Sequence, residues 1–486
     1  MVDRDRSTEA GEEASQVGKT VSRRDFLKIA GIAGATIGIG GGLGGLVAAC
    51  GGTATTTTTA GATSSSVTTP TTAAASTTTV SAGAQAGREV KLGFVSEQTG
   101  SLASNAVSDK WFMNRAQQAV KDGVLCGDGK LHPVSFLLQN SQSDSNRAAQ
   151  VAGDLISNSK ADMMLVSGGV SVTPVVNQCE ALGAPCLANG IPWQTFFFGG
   201  GATADKPYKW SYAHCFGLEQ GVMSYIDAWS QLSTNKIVGL LWSNDVTGLA
   251  WANEKTGMPP ALKAAGFTMV TPSLYQLGAE DYTEQIGEFK KAGCEIQFGI
   301  ATPGDLSVFW KQCLQQGYNP KSMGCAKALQ NDADLVSLGD ISLGMIGSMG
   351  WSPEFPFKDS LTGATAQELA GQYEADVGTQ WQLAIQQYSK FEWAIDVLKR
   401  TTNVDSPDSI VQAILGTKMT TIIGPLDYTA PVKLGTDRPV LNNYRPQYGV
   451  AQWRKGTKYP YTPYLVSNKG APLVPVQTKI EAMVYS

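Results

Sequence analysis

The residues best placed for chemistry in this chain are suited to holding a molecule. Ala161 to Gln194 reads ADMMLVSGGVSVTPVVNQCEALGAPCLANGIPWQ. Its apolar run Met163–Val166 stops at Ser167-Gly168-Gly169, which suits a strand buried on both faces of a parallel sheet. Ser171 and Thr173 then offer N-cap hydroxyls, Pro174 fits a first helical turn, and Gly183 ends the helix. The next short strand, Pro185 to Leu187, leads into Asn189-Gly190-Ile191-Pro192-Trp193. Loops at the carboxyl ends of such strands gather backbone N–H groups and helix N-termini where a ligand can sit. The plainer alternative is two βα turns that hold nothing.

Catalytic chemistry has little to work with. The chain has two histidines, His132 and His214, neither with a partner at metal or triad spacing. It shows no G-x-S-x-G elbow, H-E-x-x-H, P-loop or C-x-x-C. His132 before Pro133 reads as structural, and Asp332/Asp334 as helix capping. A literal G-x-G-x-x-G occurs at Gly40–Gly45, but it follows no strand and opens no βαβ helix. No cofactor or metal is expected, and the chain is not expected to be an enzyme. An extracellular hydrolase is the remote alternative, which measured turnover would revive. The net charge of −4 and pI near 5.4 leave no basic footprint for nucleic acid.

The N-terminus reads as an address. Ser22-Arg23-Arg24-Asp25-Phe26-Leu27-Lys28 has the form of a twin-arginine export signal. The uncharged run Ile29–Ala49 is long enough to span a bilayer, but its eight glycines make it weakly apolar and a poor helix. It ends at Leu46-Val47-Ala48-Ala49-Cys50, which resembles a lipoprotein cleavage box, with Cys50 as the lipidated residue. Residues 1–49 are thus expected to be the signal. Residues 50–87, dominated by Thr, Ser, Ala and Gly, are expected to be a tether reaching about 30–40 Å. The folded part is expected to work outside the cytoplasmic membrane, anchored to its outer face.

What must position the two loops is an α/β alternation that runs twice. In the first round, strand Glu89–Val95 leads to Ser96-Glu97-Gln98-Thr99-Gly100-Ser101, helix Asp109–Val120 and strand His132–Leu138. In the second, strand Lys236–Trp242 leads to the Asp245–Gly248 loop, and a helical stretch breaks at Pro259-Pro260. Strand Glu295–Ile300 then exits into Ala301–Asp305, and strand Ser322–Ala326 into Lys327. Short loops between strands and helices predict two doubly wound parallel-sheet lobes. The expected division is residues 88–212 with 342–445 for lobe 1, and 213–341 with 446–486 for lobe 2. After Cys50, seven cysteines remain. Cys179 and Cys186 are spaced so that a disulfide could close, the alternative being two buried thiols.

This order resembles a type I periplasmic binding protein, the solute-binding lipoprotein of branched-chain-amino-acid-type ABC importers. The markers are Thr99-Gly100, Ser143-Asp144, the Ser171 loop, Asp281-Tyr282 before Ile286/Phe289, and Gly424-Pro425. The resemblance covers essentially Glu89 to Trp453. It implies two lobes joined by a multi-crossover hinge and closing over a small molecule, a branched-chain amino acid or related carboxylate. By position, Ser171 with the backbone at Gly169 and Val170 matches one part of the family's carboxylate site, and Ile191, Pro192 and Trp193 the other. Thr99, Thr247, Thr302 and Trp351 join the expected ligand-binding set. The family's amino-acid binders usually place an acid after the residue matching Gly324 to grip an ammonium; here stand Cys325, Ala326 and Lys327. An ammonium buried without a partner is costly. Lys327 therefore argues for a carboxylate-bearing ligand without a free amine, aromatic carboxylates included, with Trp193, Trp242 and Trp351 as walls. The alternative is that Lys327 faces solvent or pairs with Asp332 or Asp334, and that the tryptophans are core. Implied partners are an ABC permease and its ATPase subunits, with the protein monomeric; a receptor that senses the closed form is the alternative.

Overall fold

The structure, a computed structural model, describes residues 83–433 and 437–485. The twin-arginine motif, Cys50 and the tether to residue 82 lie outside the described residues.

Two parallel sheets organise the chain. The first runs Val134–Asn140, Val90–Ser96, Met163–Ser167, Cys186–Asn189 and Ser211–Ala213 in spatial order, all parallel. Pleating sends successive side chains to opposite faces. On Val90–Ser96, Phe94 therefore packs on Phe112 and Phe391, while Val95 joins Ala148, Val166 and Val172 on the far side. Such a strand is covered on both faces, and each large side chain so buried is worth about 1.5–3 kcal/mol. Helices Asp109–Ala119 and Ser389–Arg400 share one face; Ser145–Ser157 and Val172–Leu182 cover the other.

The second sheet runs Thr268–Val270, Ile237–Leu241, Ile296–Gly299, Ser322–Cys325 and Ile346–Met349 in parallel. Antiparallel Gly449–Lys455 and Tyr461–Ser467 complete it. Phe298 is its keystone, with Tyr225, Trp229, Trp242 and Trp251 around it at ring-centroid distances of 4.7 to 5.9 Å.

The chain crosses between the lobes three times, and the second crossing falls later than the boundary at residue 342. Ile346–Met349 hydrogen-bonds to Ser322–Cys325 and to Gly449–Lys455, so it belongs to the second lobe. A short apolar Gly-rich run announces a strand but carries no mark of which sheet receives it. The first and third crossings are sewn together: Asn443 accepts from the Cys215 N–H at 3.0 Å and donates to the Cys215 carbonyl at 3.1 Å. The disulfide between Cys179 and Cys186 does not form. All seven described cysteines are free and buried, and burial drives the Cys179 thiol well above the usual thiol range beside Cys186. No helix among the described residues is long and apolar enough to cross a membrane.

Candidate functional site

A cleft opens where the carboxyl ends of strands from both sheets face each other, with about 790 Å³ of unfilled space counting the solvent at its mouth. Four strand exits line it. Gly168 and Gly169 follow Met163–Ser167, and Gly190, Ile191 and Pro192 follow Cys186–Asn189. From the second lobe come Thr247, after Ile237–Leu241, and Ala326 with Lys327, after Ser322–Cys325. Leu102 and Asn105 arrive from the loop after the first strand. Gln386 and Gln387 come from the turn Leu383–Tyr388 that precedes helix Ser389–Arg400. The crossings add Phe216 and Tyr448, whose rings stack 3.8 Å apart and 3° from parallel.

Of the residues expected to hold a ligand, Ile191, Pro192, Thr247 and Lys327 line this cleft. Thr99 is exposed and does not line the cleft, its hydroxyl accepting from Asn140 at 2.9 Å. Thr302 caps helix Pro303–Gln315, accepting from the Asp305 N–H at 3.2 Å and donating to the Asp305 carboxylate at 2.6 Å. Trp351 is fully buried core, edge-on to Trp381, and Trp242 is core against Phe298. Trp193 begins helix Trp193–Gly199, and its indole donates to Glu219 at 3.1 Å. Bulky aromatics near a strand end satisfy a core or a cleft equally well, so composition alone does not separate them.

The Ser171 loop is already filled from within. Glu97, just past the first strand and 2% exposed, places its carboxylate at the N-terminus of helix Val172–Leu182. The N–H groups of Val170, Ser171 and Gly169 donate to it at 2.7, 3.1 and 3.2 Å. The Ser171 hydroxyl lies 3.1 Å from the same oxygen that Val170 reaches and 2.8 Å from the Ser141 hydroxyl. Gly168 makes room: its φ is +111°, and a Cβ there would lie 2.5 Å from the Glu97 carboxyl carbon. Burial pushes the Glu97 carboxyl above its ordinary range, against the pull of these donors. Glu97 stood in the loop singled out from sequence, but only the fold brings it across to Gly169.

Lys327 is likewise engaged. Its ammonium is paired with Asp245, not with Asp332 or Asp334. Asp245 also caps helix Val246–Trp251, accepting from the Gly248 N–H at 2.7 Å and the Ser243 hydroxyl at 2.8 Å. Burial works to raise the Asp245 carboxyl, but Lys327 and these donors hold it below the usual value. No cluster of His, Cys, Asp and Glu suited to a metal occurs among the described residues.

Two parallel-sheet lobes, three crossings and a cleft lined by strand exits from both sides define a two-lobed ligand-binding protein. The chain belongs to the periplasmic binding protein family, whose profile matches residues 89–456. Its fold is that of the type I periplasmic binding proteins. It resembles a leucine binding protein LivK from Thermotoga maritima MSB8, with 15% identity and a TM-score of 0.63, over 78% of this chain and 99% of that one. It also resembles a solute binding protein of an ABC transporter from Rhodopseudomonas palustris BisB5, solved with 3,4-dihydroxy benzoic acid. There the identity is 19% and the TM-score 0.61, over 78% and 96% of the two chains. A third is the branched-chain amino acid transporter substrate binding protein LivJ from Streptococcus pneumoniae, solved with isoleucine. That match has 14% identity and a TM-score of 0.60, over 77% and 99%. These likenesses are of fold. No curated protein sequence matches the chain.

Proposed function

We propose that this protein is the extracytoplasmic solute-binding component of an ABC importer, exported by the twin-arginine pathway and held at the membrane through Cys50. It captures a small molecule reversibly, without chemistry on it, and presents the closed form to a permease and its ATPase subunits. The observation that carries the reading is the cleft itself, to which each lobe contributes the exits of two parallel strands. A solute touching both sides stabilises the closed arrangement by the difference in its interactions with the two states. Polar links already join the lobes: Asn331 donates to the Ser104 carbonyl and Gln382 to the Asp332 carboxylate, each at 2.9 Å. The apolar walls, Leu102, Ile191, Trp251 and the Phe216–Tyr448 stack, favour a solute with an aliphatic or aromatic body.

The test is a thermal-shift panel on protein denatured and refolded to strip carried-over ligand. A true ligand at a hundredfold over its Kd stabilises by about 2.7 kcal/mol, a plainly visible shift. The panel sets branched-chain amino acids, their keto acids, aromatic acids, amides and polyamines side by side. Turnover of any member in place of stable binding would overturn the reading.

A further inference from the structure

Backbone N–H groups converging at a helix N-terminus make a site for an anion, and here that site faces the cleft through Gly168 and Gly169. We propose that Glu97 is its resident occupant, and that the cleft therefore selects solutes presenting an uncharged, hydrogen-bonding end, such as a carboxamide or hydroxyl, rather than a carboxylate. The inference rests on the capture reading above and names its solute class.

Three observations support it. The donors at Gly169, Val170 and Ser171 are all committed to one side chain. A ligand carboxylate at this end would lack donors and would approach a second carboxyl in a place poorly screened by water. Lys327, the one Lys or Arg lining the cleft among the described residues, is matched by Asp245, so it brings no uncompensated positive charge to an anion. Among the apolar walls, the other polar side chains are neutral, such as the carboxamides of Asn105, Gln330, Gln386 and Gln387 and the hydroxyls of Thr195 and Thr247. Carboxamides both donate and accept, which suits an uncharged partner that does the same.

The experiment has two arms. In the first, calorimetry on the purified protein compares matched pairs that differ only at one end: benzamide with benzoate, and 4-methylvaleramide with 4-methylvalerate. The amide of a pair is expected to bind at least tenfold more tightly than its acid. In the second, Glu97→Ala empties the anion site, and acetate or formate at tens of millimolar is expected to raise the melting temperature of the variant but not of the parent. Tenfold preference for the acids in the parent protein would overturn the proposal. So would a folded Glu97→Ala protein that ignores acetate. If Glu97→Ala does not fold, the pairs on the parent protein still decide. If no pair binds but acetate restores the variant, the assignment of Glu97 stands and the capture reading is what loses support.

Discussion

The two faces of the cleft solve one problem differently. Each carries a carboxylate at the start of a helix, held by the N–H groups there. On the second lobe Asp245 caps its own helix, Val246–Trp251, and meets an ammonium, that of Lys327. On the first lobe Glu97 reaches from another strand to helix Val172–Leu182 and is held by N–H groups and a hydroxyl alone. The ion pair is local in sequence on its acidic side and partly open to water; the filled loop is buried and depends on the tertiary fold. Beneath Glu97 lies a second buried layer. Ser96 donates to Asp109, and Lys390, donating to Ser167 at 3.1 Å, sits 4.5 Å from the centre of the Phe94 ring. Burial raises the Asp109 carboxyl and lowers the Lys390 ammonium, and the attraction between the two opposes both shifts.

The comparison breaks most visibly at Lys390. Replacing it with methionine leaves Asp109 without its opposing charge in a dry interior, and removing one partner of a buried pair costs about 3–5 kcal/mol. The loss is expected near pH 7, where both groups still carry part of their charge, and is read from the urea midpoint. Part of it should return near pH 5, because Asp109 escapes the penalty by taking up a proton. A loss below about 1 kcal/mol at pH 7 would mean that the first lobe does not depend on this charge.

His214, on the first crossing between the faces, gives the next largest effect. Burial lowers its pKa from 6.5 to about 3, with only the Pro425 carbonyl opposing. The unfolded chain binds a proton as the pH drops through 6.5, whereas the folded chain resists until about 3. Its contribution is therefore complete above 6.5 and drains away as the pH falls. Between pH 6.5 and 4 the drain is on the order of 3 kcal/mol, at about 1.4 kcal/mol per pH unit. The His214→Phe protein should show a flatter urea-midpoint profile over that window; parallel profiles would show that His214 is not the group responsible.

The contrast between the faces also explains what could be read before the fold was known. Strand exits such as Gly168-Gly169 and Gly190-Ile191-Pro192 were legible because turn chemistry is local. The Asp245 cap, three residues ahead of the Gly248 N–H it binds, lies within the same reach. Glu97 was visible as a loop residue, but its 74-residue separation from Ser171 leaves no periodicity that pairs them. Phe216 and Tyr448 likewise meet only because two crossings run side by side. Lys327 stands at a strand exit that is legible in the sequence and lines the cleft, while its partner Asp245 lies 82 positions away and is not the acid expected.

On the second face the cap should outweigh the ion pair. Asp245→Ala removes the acceptor for the Gly248 N–H and leaves Lys327 without its counter-charge, an expected loss of about 1–2 kcal/mol. If the loss instead matched that of Lys327→Met, the ammonium and not the cap would be the stabilising partner.

Lys327→Met is the mildest change and the sharpest on specificity. Both side chains of the pair are partly open to water, 16% and 21% exposed, where an ion pair contributes about 0–1 kcal/mol. Stability should therefore fall by less than about 1 kcal/mol, since Asp245 keeps its N–H and hydroxyl donors. Affinity for a neutral solute should change by no more than about threefold, because no formal charge on the ligand needs the ammonium. An anionic ligand that used Lys327 would lose a charge-assisted hydrogen bond, worth about 1.5–3 kcal/mol, or at least tenfold in Kd. The same substitution thus separates the two ligand classes by calorimetry. A tenfold loss would show that the pair with Asp245 opens to admit the ligand, and would return the carboxylate reading to the second lobe even with Glu97 filling the first.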